Sequence, residues 1–180
     1  GGSEATTFGP ETYVDVRVPV DFPGDLTLAR GTRIVQPVNG SKFNYRVDLS
    51  VAGDLTVEEG AIIDATACGY SSNVGHGPNN LGLGTANSYG GSHGGLSRGT
   101  DTAVCYGSIT EPDEPGAGCR STGGVQLNGG GVVRLRVTGA TRVDGRIAAD
   151  GKSHTYMGGA GGSVFLRTGS ISGSGRISAD

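Results

Sequence analysis

The feature that most constrains this chain is that it repeats itself. Val18 to Ile34 lies over Val47 to Ile63 at a constant offset of 29 residues, placing Val18 on Val47, Val20 on Leu49 and Phe22 on Val51. The match continues as Gly24-Asp25-Leu26-Thr27 over Gly53-Asp54-Leu55-Thr56, then Gly31 over Gly60 and Ile34 over Ile63. Downstream, Gly145-Arg146-Ile147-Ala148-Ala149-Asp150 returns 30 residues later as Gly175-Arg176-Ile177-Ser178-Ala179-Asp180. Val133-Arg134-Leu135-Arg136 is echoed by Val164-Phe165-Leu166-Arg167. Self-similarity at a fixed period of this size marks an architecture of stacked units, none of which can cover its own apolar face.

Each unit contains three short stretches of period two, separated by glycine. Val47, Leu49 and Val51 alternate with Asp48 and Ser50, and Val133, Leu135 and Val137 alternate with Arg134 and Arg136. That is the pattern of a strand with one dry face. No stretch carries a helical apolar stripe of useful length. Leucine-rich repeats share the period but need an L-x-x-L-x-L frame with Asn, which is missing. A four-stranded propeller blade needs about 40–45 residues and several hairpin turns, whereas only Asn39-Gly40 reads as one. The fold expected is all-β: a right-handed parallel β-helix, with Leu49, Leu135 and Leu166 pointing inward in one stack and Leu26 over Leu55. Arg134, Arg136 and Arg167 should then form a cationic ladder on the outer surface, replaceable at little cost to stability.

Composition matters here because 36 of the 180 residues are Gly and another 7 are Pro, a level at which low-complexity disorder is a fair first reading. The clean apolar alternation excludes it. The net charge of −3 leaves no basic surface to track phosphates, so nucleic acid is not an expected partner. No run approaches the ~20 apolar residues of a membrane helix, so no membrane insertion by this segment is expected. The chain begins at Gly1 and stops at Asp180 in mid-pattern, as expected of residues 1–180 forming one segment of a longer protein.

Between the second and third clear units the spacing breaks. An insertion of 57 residues, Cys68 to Gly124, holds all three Cys and two of the three His, His76 and His93, with most of the loose Gly, Asn and Ser. A structureless loop of that length is uncommon in a compact domain and is usually functional or disordered. A smaller excursion, 151–162, carries His154, Tyr156 and Met157.

The insertion contains Gly90-Gly91-Ser92-His93-Gly94-Gly95, then Tyr106-Gly107-Ser108, then Glu111-Pro112-x-x-Pro115-Gly116-Ala117-Gly118. The last part of the chain reads Gly158-Gly159-Ala160-Gly161-Gly162-Ser163-Val164 and closes on Gly173-Ser174-Gly175-Arg176-Ile177-Ser178-Ala179-Asp180. Over roughly residues 47–180 this combination resembles the Gly-rich parallel β-helix repeat regions of large secreted and surface proteins of bacteria, algae and other protists. The resemblance implies an extracellular or cell-surface scaffold or adhesion role and names no ligand.

Cys68, Cys105 and Cys119 lack C-x-x-C spacing and a His at zinc-finger distance, so a zinc site is not expected. In an oxidising compartment two of them would pair. Cys105–Cys119 would close ~15 residues, worth about 3 kcal/mol in the chain-entropy model; Cys68–Cys119 is the alternative. Because a free imidazole titrates near neutrality, His93 could serve as a base or ligand. Its first reading is structural, as a partner for loop carbonyls that the Gly-rich backbone leaves unpaired. Asp48, Asp54, Glu58, Glu59 and Asp64, with the three arginines, could line a face that cleaves acidic polysaccharide, but outward charges are also what any solvated strand face carries. Calcium is the one cofactor that Gly-Asp-rich loops would suit, although no intact calcium frame is present. Asn39-Gly40-Ser41 is a glycosylation sequon if the source is eukaryotic.

The function expected is a non-catalytic structural or adhesive module, part of a longer rod or filament, with neighbouring copies or other surface proteins as partners. The alternative is a carbohydrate-binding or polysaccharide-cleaving domain using His93, Tyr89 and Tyr106.

Overall fold

The computed structural model describes residues 4–40, 42–71, 90–96, 104–120, 125–155 and 157–180. Among these residues there are only strands, turns and extended segments, with no helix and hence none long and apolar enough to cross a membrane. Twelve of the strands form four circuits of three. The first is β3 (Val20–Phe22), β4 (Leu26–Leu28) and β5 (Arg33–Val35); the second is β6 (Val47–Val51), β7 (Leu55–Val57) and β8 (Ile62–Asp64). The third is β11 (Val132–Val137), β12 (Ala140–Val143) and β13 (Arg146–Ala148), and the fourth is β16 (Ser163–Arg167), β17 (Ser170–Ser172) and β18 (Arg176–Ser178). Two strands precede them, β1 (Thr6–Phe8) and β2 (Tyr13–Asp15).

The chain visits three parallel sheets in rotation. The first sheet has the order β16-β11-β6-β3, the second β1-β4-β7-β12-β17 and the third β18-β13-β8-β5-β2. Equivalent residues of successive circuits therefore stack in columns. Val20, Leu49, Leu135 and Leu166 form one, and Val14, Ile34, Ile63, Ile147 and Ile177 another. Leu26 sits on Leu55 and Leu28 on Val57, as the repeat requires. One apolar cluster draws on all three sheets, with Leu49, Leu55, Ile63, Leu135 and Ile147 each no more than 1% exposed. Burying a side chain of this size contributes roughly 1.5–3 kcal/mol.

One column expected from the repeat is absent. Val18 is 65% exposed and lies at a bend, outside β3. Pro19 follows it and has no N–H to give a ladder, so the strand starts only at Val20.

The long insertion does not interrupt the stack. β6 and β11 pair directly over five residues, Val47↔Val133 through Val51↔Val137, although all of 68–131 lies between their circuits. Within that stretch β9 (Cys119–Arg120) and β10 (Gln126–Leu127) form a short antiparallel pair. The smaller excursion is a second one, β14 (Ser153–His154) against β15 (Met157–Gly158).

Turns between sheets are held by carboxylates that reach one circuit along. Asp25 Oδ1 accepts the Asp54 N–H at 2.8 Å, and Asp54 Oδ1 accepts the Ala140 N–H at 2.7 Å. Asp144 Oδ1 does the same for Ser174 at 3.0 Å and Asp150 Oδ1 for Asp180 at 2.9 Å. A bond from carboxylate to backbone N–H is charge-assisted and satisfies a turn donor that has no place in a ladder.

Candidate functional site

Two concave surfaces and one densely bonded layer hold the residues that the sequence marks as chemical. The layer comes first because it positions His93. Extended segments around 65–71, 115–119, 128–131, 149–151 and 158–162 run side by side and bond through their backbones. The Gly69 N–H donates to Gly129 O at 2.7 Å, Gly116 to Gly130 O at 2.8 Å, Gly130 to Ala160 O at 2.8 Å and Gly162 to Ala149 O at 2.8 Å. Glycine is required by proximity. A Cβ on Gly129 would strike the Gly116 carbonyl, and one on Gly130 the Ala149 carbonyl and the Gly162 nitrogen.

His93 is fastened to this layer. Its Nδ1 lies 2.9 Å from Gly161 O, which makes Nδ1 the protonated nitrogen, since a carbonyl only accepts. The ring is 9% exposed and tilts against Tyr106 with centroids 4.7 Å apart. Burial lowers its pKa below the ordinary imidazole value, against the raising effect of its backbone bonds to Gly161 and Gly162. Tyr106 donates its hydroxyl to Pro115 O at 2.7 Å, and burial raises its pKa. The two rings line a cavity of about 540 Å³ together with Leu96, Ile109, Pro112 and Val164. Tyr70 donates to Glu114 Oε2 at 3.4 Å, and Ser163 donates to Glu114 O at 2.6 Å. Burial first, and then Asp113, raise the Glu114 carboxyl's pKa. Histidine and tyrosine thus meet, with Nδ1 and the phenol hydroxyl engaged by backbone carbonyls. Tyr89 and His76 lie outside the described residues, and His154 is exposed on β14.

No disulfide joins Cys68, Cys105 or Cys119, so neither Cys105–Cys119 nor Cys68–Cys119 is formed. Cys119 is fully buried at the start of β9, whereas Cys105 is exposed on the surface. Cys68 donates its thiol to Thr66 O at 3.2 Å, and burial pushes that thiol up to about 11, away from the reactive thiolate. The Asn39 sequon is also spent. Asn39 is 5% exposed, its Nδ2 donates to Tyr45 O at 2.9 Å and Cys68 O at 3.1 Å, and its Oδ1 accepts from the backbone of Asn44 and Tyr45. A side-chain nitrogen buried in that way has no room for a glycan.

The acidic residues are spread over different turns. Asp54 holds the Ala140 turn, Glu58 accepts from the Arg30 N–H at 3.1 Å, and Asp64 binds Arg33 at 2.9 Å and the Thr66 N–H at 3.0 Å. Among the described residues no group of three or more His, Cys, Asp or Glu could hold a metal ion.

On the outer side of the first sheet, Asp48 is the exception. Its side chain is 3% exposed, between Arg46 at 3.0 Å and Arg136 at 2.8 Å. The Arg136 contact is one of charge on charge rather than an aligned hydrogen bond; Arg136 donates instead to Ser50 Oγ at 3.1 Å. Arg134 stands over the Phe165 ring at 5.2 Å and reaches Asp113 at 4.0 Å. The expected ladder of interchangeable surface arginines is therefore not what these residues form. Arg134 and Arg136 are built into the face, and Arg167 alone of the three makes no ion pair among the described residues. Beside them runs the second concavity, a groove of about 770 Å³ that includes Arg136 and Arg167.

Compared with family models, characterised proteins and solved structures, the chain matches none.

Proposed function

We propose that the three sheets are the faces of a right-handed parallel β-helix and that this module works without catalysis, as a structural or adhesive element of an extracellular or cell-surface protein. Right-handedness follows from the strong preference of parallel crossover connections for that hand. The observation that carries the reading is the unbroken register across the insertion, Val47 to Val51 on Val133 to Val137. A chain that leaves the three sheets after β8 and rejoins the same columns at β11 keeps one continuous stack across the insertion. Continuity of this kind suits load-bearing and contact, because the ladder bonds run along the stacking axis.

The same reading is supported by how the reactive side chains are used. His93, Asp54, Asp64 and Asp150 each satisfy backbone or guanidinium groups of a neighbouring segment. The extracellular setting draws on the resemblance of the Gly-rich motifs. Neighbouring copies or other surface proteins are the partners that such a stack would meet.

The test is incubation of the full chain with acidic and neutral polysaccharides, with and without calcium. No release of reducing or unsaturated ends is expected. Release that disappears in His93→Ala or Asp64→Asn would replace the scaffold by an enzyme.

A further inference from the structure

The groove beside the first sheet is built by register. It takes the same three consecutive positions from each of four circuits, those of Asp21, Ser50, Arg136 and Arg167 and the two that follow each of them. The third position is small or compact in every circuit, Pro23, Ala52, Thr138 and Gly169, and this opens the concavity. Adjacent strands lie about 4.8 Å apart, so four circuits set the first and last rows roughly 14 Å apart along the axis. Anything seated there meets at least one polar side chain per circuit, a spacing that suits a linear ligand lying across the strands.

From these rows we propose that the groove binds a linear oligosaccharide bearing carboxylates, its acidic group at the Arg136–Arg167 end and its hydroxyls toward Ser50 and Asp21. The charge order supports that polarity. Arg136 is fixed by Asp48 and Ser50, at 2.8 and 3.1 Å, which leaves the exposed Arg167 guanidinium as the fork open to a carboxylate. Such pairing is bidentate and geometrically selective. Asp21, at the other end and exposed, is an acceptor for sugar hydroxyls. An acidic peptide fits less well. A ladder could form only along β3 or β16, the two outer strands of the sheet, and a peptide paired there would run parallel to the strands and meet one end of the groove, not all four circuits. A sugar brings no such unsatisfied backbone, and its C–H faces can lie on the compact third row.

The proposal rests on the stack being a rigid scaffold but does not depend on its lacking catalysis. The experiment is calorimetric titration of the full chain with a galacturonic acid oligomer of about six units, its methyl ester, and poly-glutamate. The free-acid oligomer should bind. Esterification or Arg167→Ala should weaken it by about tenfold or more, Arg167→Lys less, and added salt should weaken it further. Ala52→Tyr, which fills the groove without touching a charge, should abolish binding while leaving the unfolding midpoint in place. No binding, binding unchanged by both Arg167→Ala and Ala52→Tyr, or poly-glutamate bound as tightly as the sugar acid would each overturn the proposal. Cleavage of the oligomer would overturn the non-catalytic reading and leave the groove assignment standing.

Discussion

The stacked sheets and the glycine layer solve the same packing problem in opposite ways. In the sheets, branched side chains fill the space between backbones about 10 Å apart, and Leu49, Ile63, Leu135 and Ile147 are sealed from water. In the layer no side chain separates the segments. Carbonyls and N–H groups of 69–70, 116–117, 129–130 and 160–162 bond directly, and the glycines are there because nothing larger fits. The first region is stabilised by apolar burial and the second by satisfied backbone polar groups. They should therefore fail in opposite directions, the sheets when atoms are removed and the layer when atoms are added.

The largest effect is expected in the sheets. Leu135→Ala opens a hole in the middle of a four-residue column and should cost about 2–5 kcal/mol in denaturant unfolding. A loss under 1 kcal/mol would mean that the columns are not the main source of stability. Next comes an addition. Gly130→Ala places a methyl group on the Ala149 carbonyl, and the strain should cost about 1–3 kcal/mol. Stabilisation, the usual result of Gly→Ala at an unstrained site, would break the contrast between the two regions.

Arg136→Ala should cost about 1–3 kcal/mol, because Asp48 stays buried with only Arg46 beside it. Arg142→Ala, which removes a pair with a 64% exposed arginine, should stay within roughly ±0.5 kcal/mol. Equal effects of the two would place Asp48 at the surface.

The smallest effect is one of pH, and between neutrality and mild acid it belongs to the layer. His93 has a folded pKa below its ordinary value of about 6.5, so the folded state binds its proton less readily than the unfolded state. That contribution is fully present above about pH 6.5 and is lost as pH falls toward the lowered folded value. Glu114, raised in the fold, acts oppositely: its contribution is lost as pH climbs from its ordinary value to the raised one. The protection factors of the amides at 158–162, corrected for the intrinsic pH dependence of exchange, should therefore fall on mild acidification while those of the sheet amides hold. His93→Gln should remove that response, and its persistence in the variant would assign the pH effect elsewhere.

Much of the stack was legible in the residues. The offset of Val20 on Leu49 and of Ile34 on Ile63 reports stacking because a strand buries every second residue and a repeat must bury the same ones each time. Aspartates that hold turns were not legible. Asp54 and Asp144 read as solvated charges until the next circuit brings an N–H to them, and nothing local distinguishes the two cases. Cysteine pairing failed for a related reason: spacing measures the loop to be closed, while burial of Cys119 and exposure of Cys105 are properties of the finished packing.

The sequence by itself determined the period and, Val18 excepted, which apolar residues of the repeats stack in columns, since these follow from alternation along the chain and need no distant partner. Only the tertiary structure decided what Gly69, Gly116, Gly129, Gly130 and Gly162 do. Glycine reads the same in a loose loop and in a layer where backbones touch, because what it contributes there is the absence of a side chain. Whether that absence is empty space or a contact depends on which segment comes alongside.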